Sequence, residues 1–234
     1  MENEVLGKRQ ARRDLFCSLA SIFHLSFVIS HFEEIADFAE TLRDSLSCSE
    51  PARKRILDMG CGRTKRRGAI GVDRVKLPGV DLVHNLNKTP YPFKDNTFDE
   101  IYAIHIIEHM DSILATMEEI HRICKPRARV VVITPHHTDS ISWQDPTHKW
   151  HLNSYSFSYF DPSYHTNHYT SVRFNTLRKE VELAKIWKYL GVQFFVNLDH
   201  RLPQIRFIRK IWEQHLCFVL RGKQITFVLE ALKD

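Results

Sequence analysis

The sequence predicts an α/β fold organised on a mainly parallel β-sheet, and three observations predict it. From Arg53 onward, short β-rich runs alternate with connections, the pattern of a parallel sheet with crossovers. The first run lies in RKRILDMGCG (Arg53–Gly62), where Ile56 and Leu57 are the apolar part, Asp58 closes the strand, and Gly60 and Gly62 make a tight turn. The next run, AIGVD, ends on a second carboxylate, Asp73, eleven residues after Gly62. Candidate strands are 54–58, 69–73, 80–83, 99–104, 129–134, 191–198 and 224–231.

Ahead of the sheet, residues 1–8 are expected to fray. Arg9–Ser30 reads as a helix, with Leu15, Leu19, Ile22, Phe23 and Phe27 near the helical period, and His31–Leu46 as a second, carrying Phe32, Ile35, Phe38, Ala39 and Leu42. Ser47–Ala52 links them to the first strand. Leu15–Phe32 has no Asp, Glu, Lys or Arg and follows the basic Lys8–Arg13, which resembles a signal peptide. It nevertheless holds His24 and four serines, and no small-residue cleavage site follows, so a cytosolic helix is expected, with a membrane-surface helix as the alternative.

The connections between the first strands are short: ten residues, Met59–Gly68, then six, Arg74–Gly79. A crossover carrying a helix needs at least about 10–12 residues. Region 59–79 is therefore expected to hold no helix longer than about two turns, leaving one sheet face for residues 9–46 to cover. A separate tethered helical hairpin is the other arrangement open to them.

Composition sets the bounds. The 234 residues suit one domain with an extension, and 43% hydrophobic with 26% charged residues suits a globular core. A net charge of +5 is a weak pointer to an anionic partner. Five scattered cysteines form neither a disulfide framework nor a metal pattern, which fits a reducing cytoplasm.

Glycine lacks a Cβ, so the Gly60–Gly62 turn can take positive φ and admit a ligand closely. Asp73, at a strand end, can accept both hydrogen bonds of a ribose diol. A dinucleotide fingerprint would need glycine at 65, where Lys65 stands, and a later acidic residue. These residues resemble instead the class I S-adenosylmethionine-dependent methyltransferases, in their methyltransferase type 11-like branch. LDMGCG and GVD are similar to that family's first two motifs; PFKDNTFDEIY, HIIEHM, RICKPRARVVVITP and ITFVLEALK follow in the family's order. The resemblance covers residues 54–160 closely and 190–232 loosely. It implies a Rossmann-like seven-stranded sheet whose last strand is antiparallel, S-adenosyl-L-methionine as cofactor, and a methyltransferase domain over 51–234 with 1–50 as a helical extension packed on the sheet.

The resemblance also implies roles. Asp58, Gly60 and Gly62 would touch the methionine and ribose portions, and Asp73 the ribose hydroxyls; Arg74 would stack on adenine or remain solvated. Asn85, with Leu86, stands where the family presents a polar side chain and a backbone amide to the adenine, often with Asp in place of Asn85. The strand 99–104 delivers His105 to its carboxyl end, near the transferable methyl. His105-x-x-Glu108-His109 has a metal spacing, but a strand-to-helix junction keeps the three from needing to converge, and no metal is expected. Cys124, on the far side of the sheet, is not read as a nucleophile. Arg127-Ala128 replaces the family's glycine pair before the fifth strand.

The long segment Pro135–Phe160 follows the fifth strand on the ligand side and is expected to carry acceptor recognition. Within it, Asp145-Pro-Thr-His148 offers His148 as a general base oriented by Asp145, with His105 in reserve, or else a self-capped turn. Ile205–Leu220 reads as an amphipathic basic helix inserted before the last strand. The family's amide motif for exocyclic base amines and its Pro-Cys motif are absent, leaving an oxygen or amine of a small-molecule, glycan or lipid-linked acceptor, without integral membrane association. An RNA methyltransferase, using Arg53–Arg55 and Arg63–Arg67, and a non-catalytic cofactor-binding scaffold are the alternatives.

Overall fold

The computed structural model describes residues 54–164, 168–200 and 202–233. The two helices expected within 9–46, their packing on the sheet and a boundary at residue 50 lie outside the described residues.

Seven strands form one sheet: β1 (Ile56–Met59), β2 (Ala69–Asp73), β3 (Leu82–Val83), β4 (Phe98–Ile104), β5 (Cys124–Pro135), β6 (Arg173–Leu183) and β7 (Gly222–Leu232). Their order is β3-β2-β1-β4-β5-β7-β6. The first five pair in parallel, and β7 runs antiparallel to both β5 and β6. This is the Rossmann-like sheet expected, with its last strand reversed. One face of the central strands is apolar and fully buried: Leu57, Met59, Val72, Ile101, Ala103, Val130 and Val132 lie side by side in register on it.

Residues 60–68 and 74–81 contain only turns and bends, as their length requires. Between β4 and β5 the chain makes a short 3₁₀ turn, Ile107–His109, and then helix α1 (Ile113–Ile123); a short helix, α2 (Ser140–Gln144), follows β5. Ser112 caps α1 by accepting a hydrogen bond from the Ala115 amide at 3.2 Å, and Met117, Ile120 and Ile123 bury its inner face. Arg127, where the resembled family has glycine, keeps the left-handed conformation at φ +61°.

Two expectations are corrected. Residues 191–198 are not a strand. They hold the short helix α4 (Val192–Val196), entered from α3 (Lys185–Tyr189) through Gly191 at φ +75°. The Asn197 side chain then bonds both the N–H and the C=O of Val181, each at 2.8 Å, occupying the outer edge of β6. The sixth strand lies instead at 173–183. A register shift between Thr176 and Arg178 breaks its alternation and turns Leu177 outward, so its charged centre does not read as a strand.

The segment 205–220 is α5 (Arg206–Ile211) continued by a π-helical turn, Trp212–Leu216. Its basic face is not all solvated: Arg209 is fully buried and bonded to Asp199 at 2.6 and 2.8 Å. No helix among the described residues is long and apolar enough to cross a membrane.

β6 ends at Leu183 and β7 begins at Gly222, so 184–221, like the loop after β5, starts from the carboxyl edge of the parallel strands. Ligands in open α/β sheets bind outside that edge.

Candidate functional site

The turn after β1 is built from the backbone outward. The amides of Gly60 and Cys61 both donate to the Val72 carbonyl, at 2.8 and 3.2 Å. Gly60 sits at φ +66°, and a Cβ there would stand 2.8 Å from Ile106 Cδ1. Gly62, at φ +52°, faces open space and donates its amide to Asp73 Oδ2 at 3.0 Å. The other Asp73 oxygen accepts from the Val75 amide at 3.0 Å. Asp58, almost buried, accepts from the Arg66 amide at 2.7 Å and fastens the far end of the turn.

These pieces border a cleft of about 450 Å³. Gly60, Asp73, Arg74, Asn85 and Leu86 form one side; Ile106, His109, Met110, Pro146, Thr147 and Lys149 face it. Asp58 and Gly62 are not among the residues that border it; Gly62 holds the bordering Asp73, and Asp58 holds Arg66 at the end of the turn. Asn85 Oδ1 accepts from the Asn87 amide at 3.1 Å, holding the loop after β3 in a side-chain-closed turn.

His105, directly after β4, has φ +51°, an uncommon backbone for a non-glycine residue, and its amide donates to the Ile133 carbonyl at 2.8 Å. Its half-exposed ring borders a second, smaller cavity of about 280 Å³, with Pro135, Ile141, Glu182, Lys223 and Gln224. His105 and Ile106 are consecutive, and each borders one of the two cavities.

The loop after β5 borders both cavities, the smaller through Asp139 and Ile141 and the larger through Pro146, Thr147 and Lys149. Asp145 accepts from the Thr147 amide and hydroxyl at 2.8 and 2.6 Å, and these bonds hold its carboxyl below the usual range. Its other oxygen is 3.8 Å from His148 Nε2, at ion-pair distance but beyond a hydrogen bond. His148 donates through Nδ1 to the Ser142 carbonyl at 3.0 Å, and its side chain is 5% exposed, turned under the loop rather than toward an acceptor. Its ring meets His109 edge to face at 4.7 Å. Pro146, Thr147 and Lys149 border the same cleft as Asp73, so this loop contributes to the cleft alongside the ends of the first strands.

Of His105-x-x-Glu108-His109, the last two converge with His148 rather than with His105. A second polar cluster lies deeper. His136, fully buried, contacts Glu213 at 3.0 Å, and Glu213 also accepts from the Ser154 amide and hydroxyl. Burial works to raise the Glu213 carboxyl, but the bonds from His136 and Ser154 outweigh it and hold it low. Burial pushes the Cys124 thiol up to about 12, as suits an inert core cysteine.

Val75, His84, Asn87, Ile106, Met110 and Lys149 were not legible as lining residues; Pro146 and Thr147 carried a signal only as part of a turn.

The methyltransferase-domain family model matches residues 24–188. The sterol 4-C-methyltransferase strm-1 of Caenorhabditis elegans is 31% identical over 67% of this chain and 46% of its own length. The cycloartenol-C-24-methyltransferase 1 of Oryza sativa is 26% identical over 61% of this chain and 53% of its own. The chain thus spans about half the length of these curated relatives. Among solved structures, a putative methyltransferase from Bacillus halodurans aligns over 85% of this chain and all of its own at 10% identity, TM-score 0.48. A methyltransferase from Archaeoglobus fulgidus covers 77% and 86% at 18% identity, TM-score 0.46.

Proposed function

The chain belongs to the methyltransferase-domain family, the class I S-adenosylmethionine-dependent methyltransferases, and from that premise we propose that it methylates an oxygen or amine of a small, partly apolar acceptor such as a lipid-linked molecule. One observation carries the reading: two cavities, of about 450 and 280 Å³, are bordered by the consecutive residues Ile106 and His105 at the carboxyl end of β4. A donor in the first and an acceptor in the second would meet at one peptide unit.

The larger cleft fits the cofactor. Asp73 reaches the cleft with lone pairs left beyond its bonds to Gly62 and Val75, and Gly60 offers bare backbone beside it. In this reading Asp73 takes the ribose hydroxyls, Gly60 and Ile106 the methionine side, and Arg74, Asn85 and Leu86 the adenine. Asp58 and Gly62 position that lining. Bound S-adenosylmethionine supplies an activated methyl on a sulfonium. The chain has to align the acceptor, exclude water and take a proton. His105 faces the smaller cavity and is the residue proposed to accept that proton at a ring nitrogen; His148, turned under the loop, is not.

Apolar side chains exposed on the 184–221 insertion, among them Tyr189, Leu190, Phe194, Phe195 and Phe207, support an acceptor with a lipid portion. The sterols named for two relatives support a small apolar acceptor as well. Against an RNA acceptor, Lys65 is paired with Asp81 at 2.8 Å, and Arg66 stacks on Tyr102 at 3.7 Å. Three buried free cysteines, Cys61, Cys124 and Cys217, suit a reducing cytoplasm.

The test follows radiolabelled methyl from the cofactor into fractionated cell extract. Label in the organic-soluble fraction is expected. His105→Ala should lower turnover by roughly 10²–10⁴-fold while binding of S-adenosylhomocysteine stays within about twofold. Ribonuclease-sensitive label, or normal turnover by His105→Ala, overturns the reading.

A further inference from the structure

We propose that Glu108, His109 and His148 form a binding site for a single Zn²⁺ ion that clamps the 145–150 loop onto the wall of the larger cleft. The cluster stands without the methyl-transfer reading; only its consequence for the cofactor rests on that reading.

Glu108 is the starting point. Its side chain is 1% exposed, and neither carboxylate oxygen has a hydrogen-bond partner among the described residues. Burying a carboxylate this way is costly unless a cation meets it. His105 Nδ1 lies 3.4 Å from Oε1 without hydrogen-bond geometry, on a half-exposed ring that borders the smaller cavity. A nitrogen of His109, a nitrogen of His148 and an oxygen of Glu108 all lie within 4.8 Å of one another.

The rings are arranged as metal-bound imidazoles are: one nitrogen donates to the protein, which fixes the tautomer and leaves the other a lone pair. His148 donates from Nδ1 to the Ser142 carbonyl at 3.0 Å. For His109 the direction follows from its neighbours. The Thr147 hydroxyl donates to Asp145 at 2.6 Å, so it must accept from His109 Nδ1, 2.9 Å away. Both Nε2 atoms are left free to bind. Asp145 thus acts through Thr147 on His109.

Two imidazoles, one carboxylate and an open position suit Zn²⁺, whereas Mg²⁺ and Ca²⁺ demand oxygen-rich shells. Donor atoms around tetrahedral Zn²⁺ stand roughly 3.3 Å apart at bonds of about 2.0–2.1 Å, so small side-chain rotations close the site. The other cluster, His136, His137 and Glu213, is less apt, because its carboxylate is already bonded to His136 and Ser154.

The experiment uses the full chain, stripped with chelator, loaded with Zn²⁺ or Co²⁺ and desalted. One metal per chain is expected by mass spectrometry, with the ligand-field bands of low-coordinate Co²⁺. Glu108→Gln and His148→Gln should each lose it, and His136→Asn should keep it. Should a variant fail to fold, X-ray absorption of the wild-type Zn²⁺ form decides on its own: two imidazoles with oxygen ligands support the site, and a shell without imidazole overturns it. Failure of the wild type to retain stoichiometric metal, or retention by Glu108→Gln and His148→Gln, also overturns it. Calorimetry with S-adenosylhomocysteine separates the two readings: binding of that ligand without Zn²⁺ retention sinks the metal site alone.

Discussion

The two glycines after β1 look alike in the sequence, yet the structure assigns them different constraints, and alanine at each should separate them. Both have positive φ, +66° at Gly60 and +52° at Gly62, a conformation that costs an L-residue roughly 1–2 kcal/mol. At Gly62 nothing lies within 4 Å of an added Cβ, so strain is the whole effect. At Gly60 the same atom would stand 2.8, 2.9 and 3.1 Å from three carbons of Ile106, and the last two are not free ends that swing away. Overpacking of this kind adds about 1–3 kcal/mol, so Gly60→Ala should cost about 2–5 kcal/mol. At about 2–4 °C per kcal/mol for a domain of this size, Gly62→Ala lowers the melting temperature by roughly 2–8 °C and Gly60→Ala by clearly more. The clash also has a direction: Ile106 borders the cleft, so its displacement should weaken S-adenosylhomocysteine binding measured by calorimetry. Equal destabilisation by the two alanines, or full affinity in Gly60→Ala, refutes the reasoning.

Three further outcomes are expected. Asp73→Ala removes charge-assisted hydrogen bonds worth about 1.5–3 kcal/mol and should weaken S-adenosylhomocysteine by roughly 10–150-fold in calorimetry. Arg127→Gly relieves an exposed left-handed residue and should stabilise the fold by about 1 kcal/mol, read as a higher denaturant midpoint. Burial lowers the pKa of His121 and of His137, the latter helped by the neighbouring His136. Their folded values lie below the unfolded value of 6.5, so their contribution is fully present above it and is lost as pH falls below it. Thermal melts from about pH 7.5 down to 5 should show that loss, with a shallower slope in His121→Gln.

The sheet was legible where strand chemistry is local. β1, β2, β4 and β7 combine apolar runs with a turn signal or a closing carboxylate, and the short connections after β1 and β2 left no room for helices. β6 was missed because its central residues, Arg178, Lys179 and Glu180, give it the charge of an edge strand and a register shift breaks the period of two. The run 191–198 misled because short apolar segments do not distinguish strand from helix, and Asn197, which bonds the edge of β6, looks in sequence like an ordinary turn residue. For the candidate site, the placement of Asp73 and Gly60 beside the cleft was legible because it depends on backbone position. The direction of the His148 ring was not, because three residues of separation from Asp145 does not say which way an imidazole turns. The ring direction is set by the Ser142 carbonyl, within the short helix Ser140–Gln144 whose only sequence signal is its cap, Asp139.

That difference between backbone-set and contact-set positions also explains how the smaller cavity keeps its shape. Its floor lies between Pro135 at the end of β5 and Lys223 at the start of β7, and His136 fills the adjacent space so closely that a Cβ on Gly222 would stand 2.6 Å from its ring. The ring is fixed from the other side by Glu213, which also receives both polar groups of Ser154. Glu213 reaches them because the helix widens into a π turn at Trp212–Leu216, burying Trp212 and Glu213 side by side, where a regular helix would turn consecutive residues about 100° apart. One buried carboxylate therefore joins the loop after β5 to the insertion before β7, the two connections that differ most from a bare sheet. A variant such as Glu213→Leu would leave His136 and Ser154 without their partner and should loosen both connections together. The cleft beside Asp73, fastened separately through Asp58 and Gly62, should keep its form.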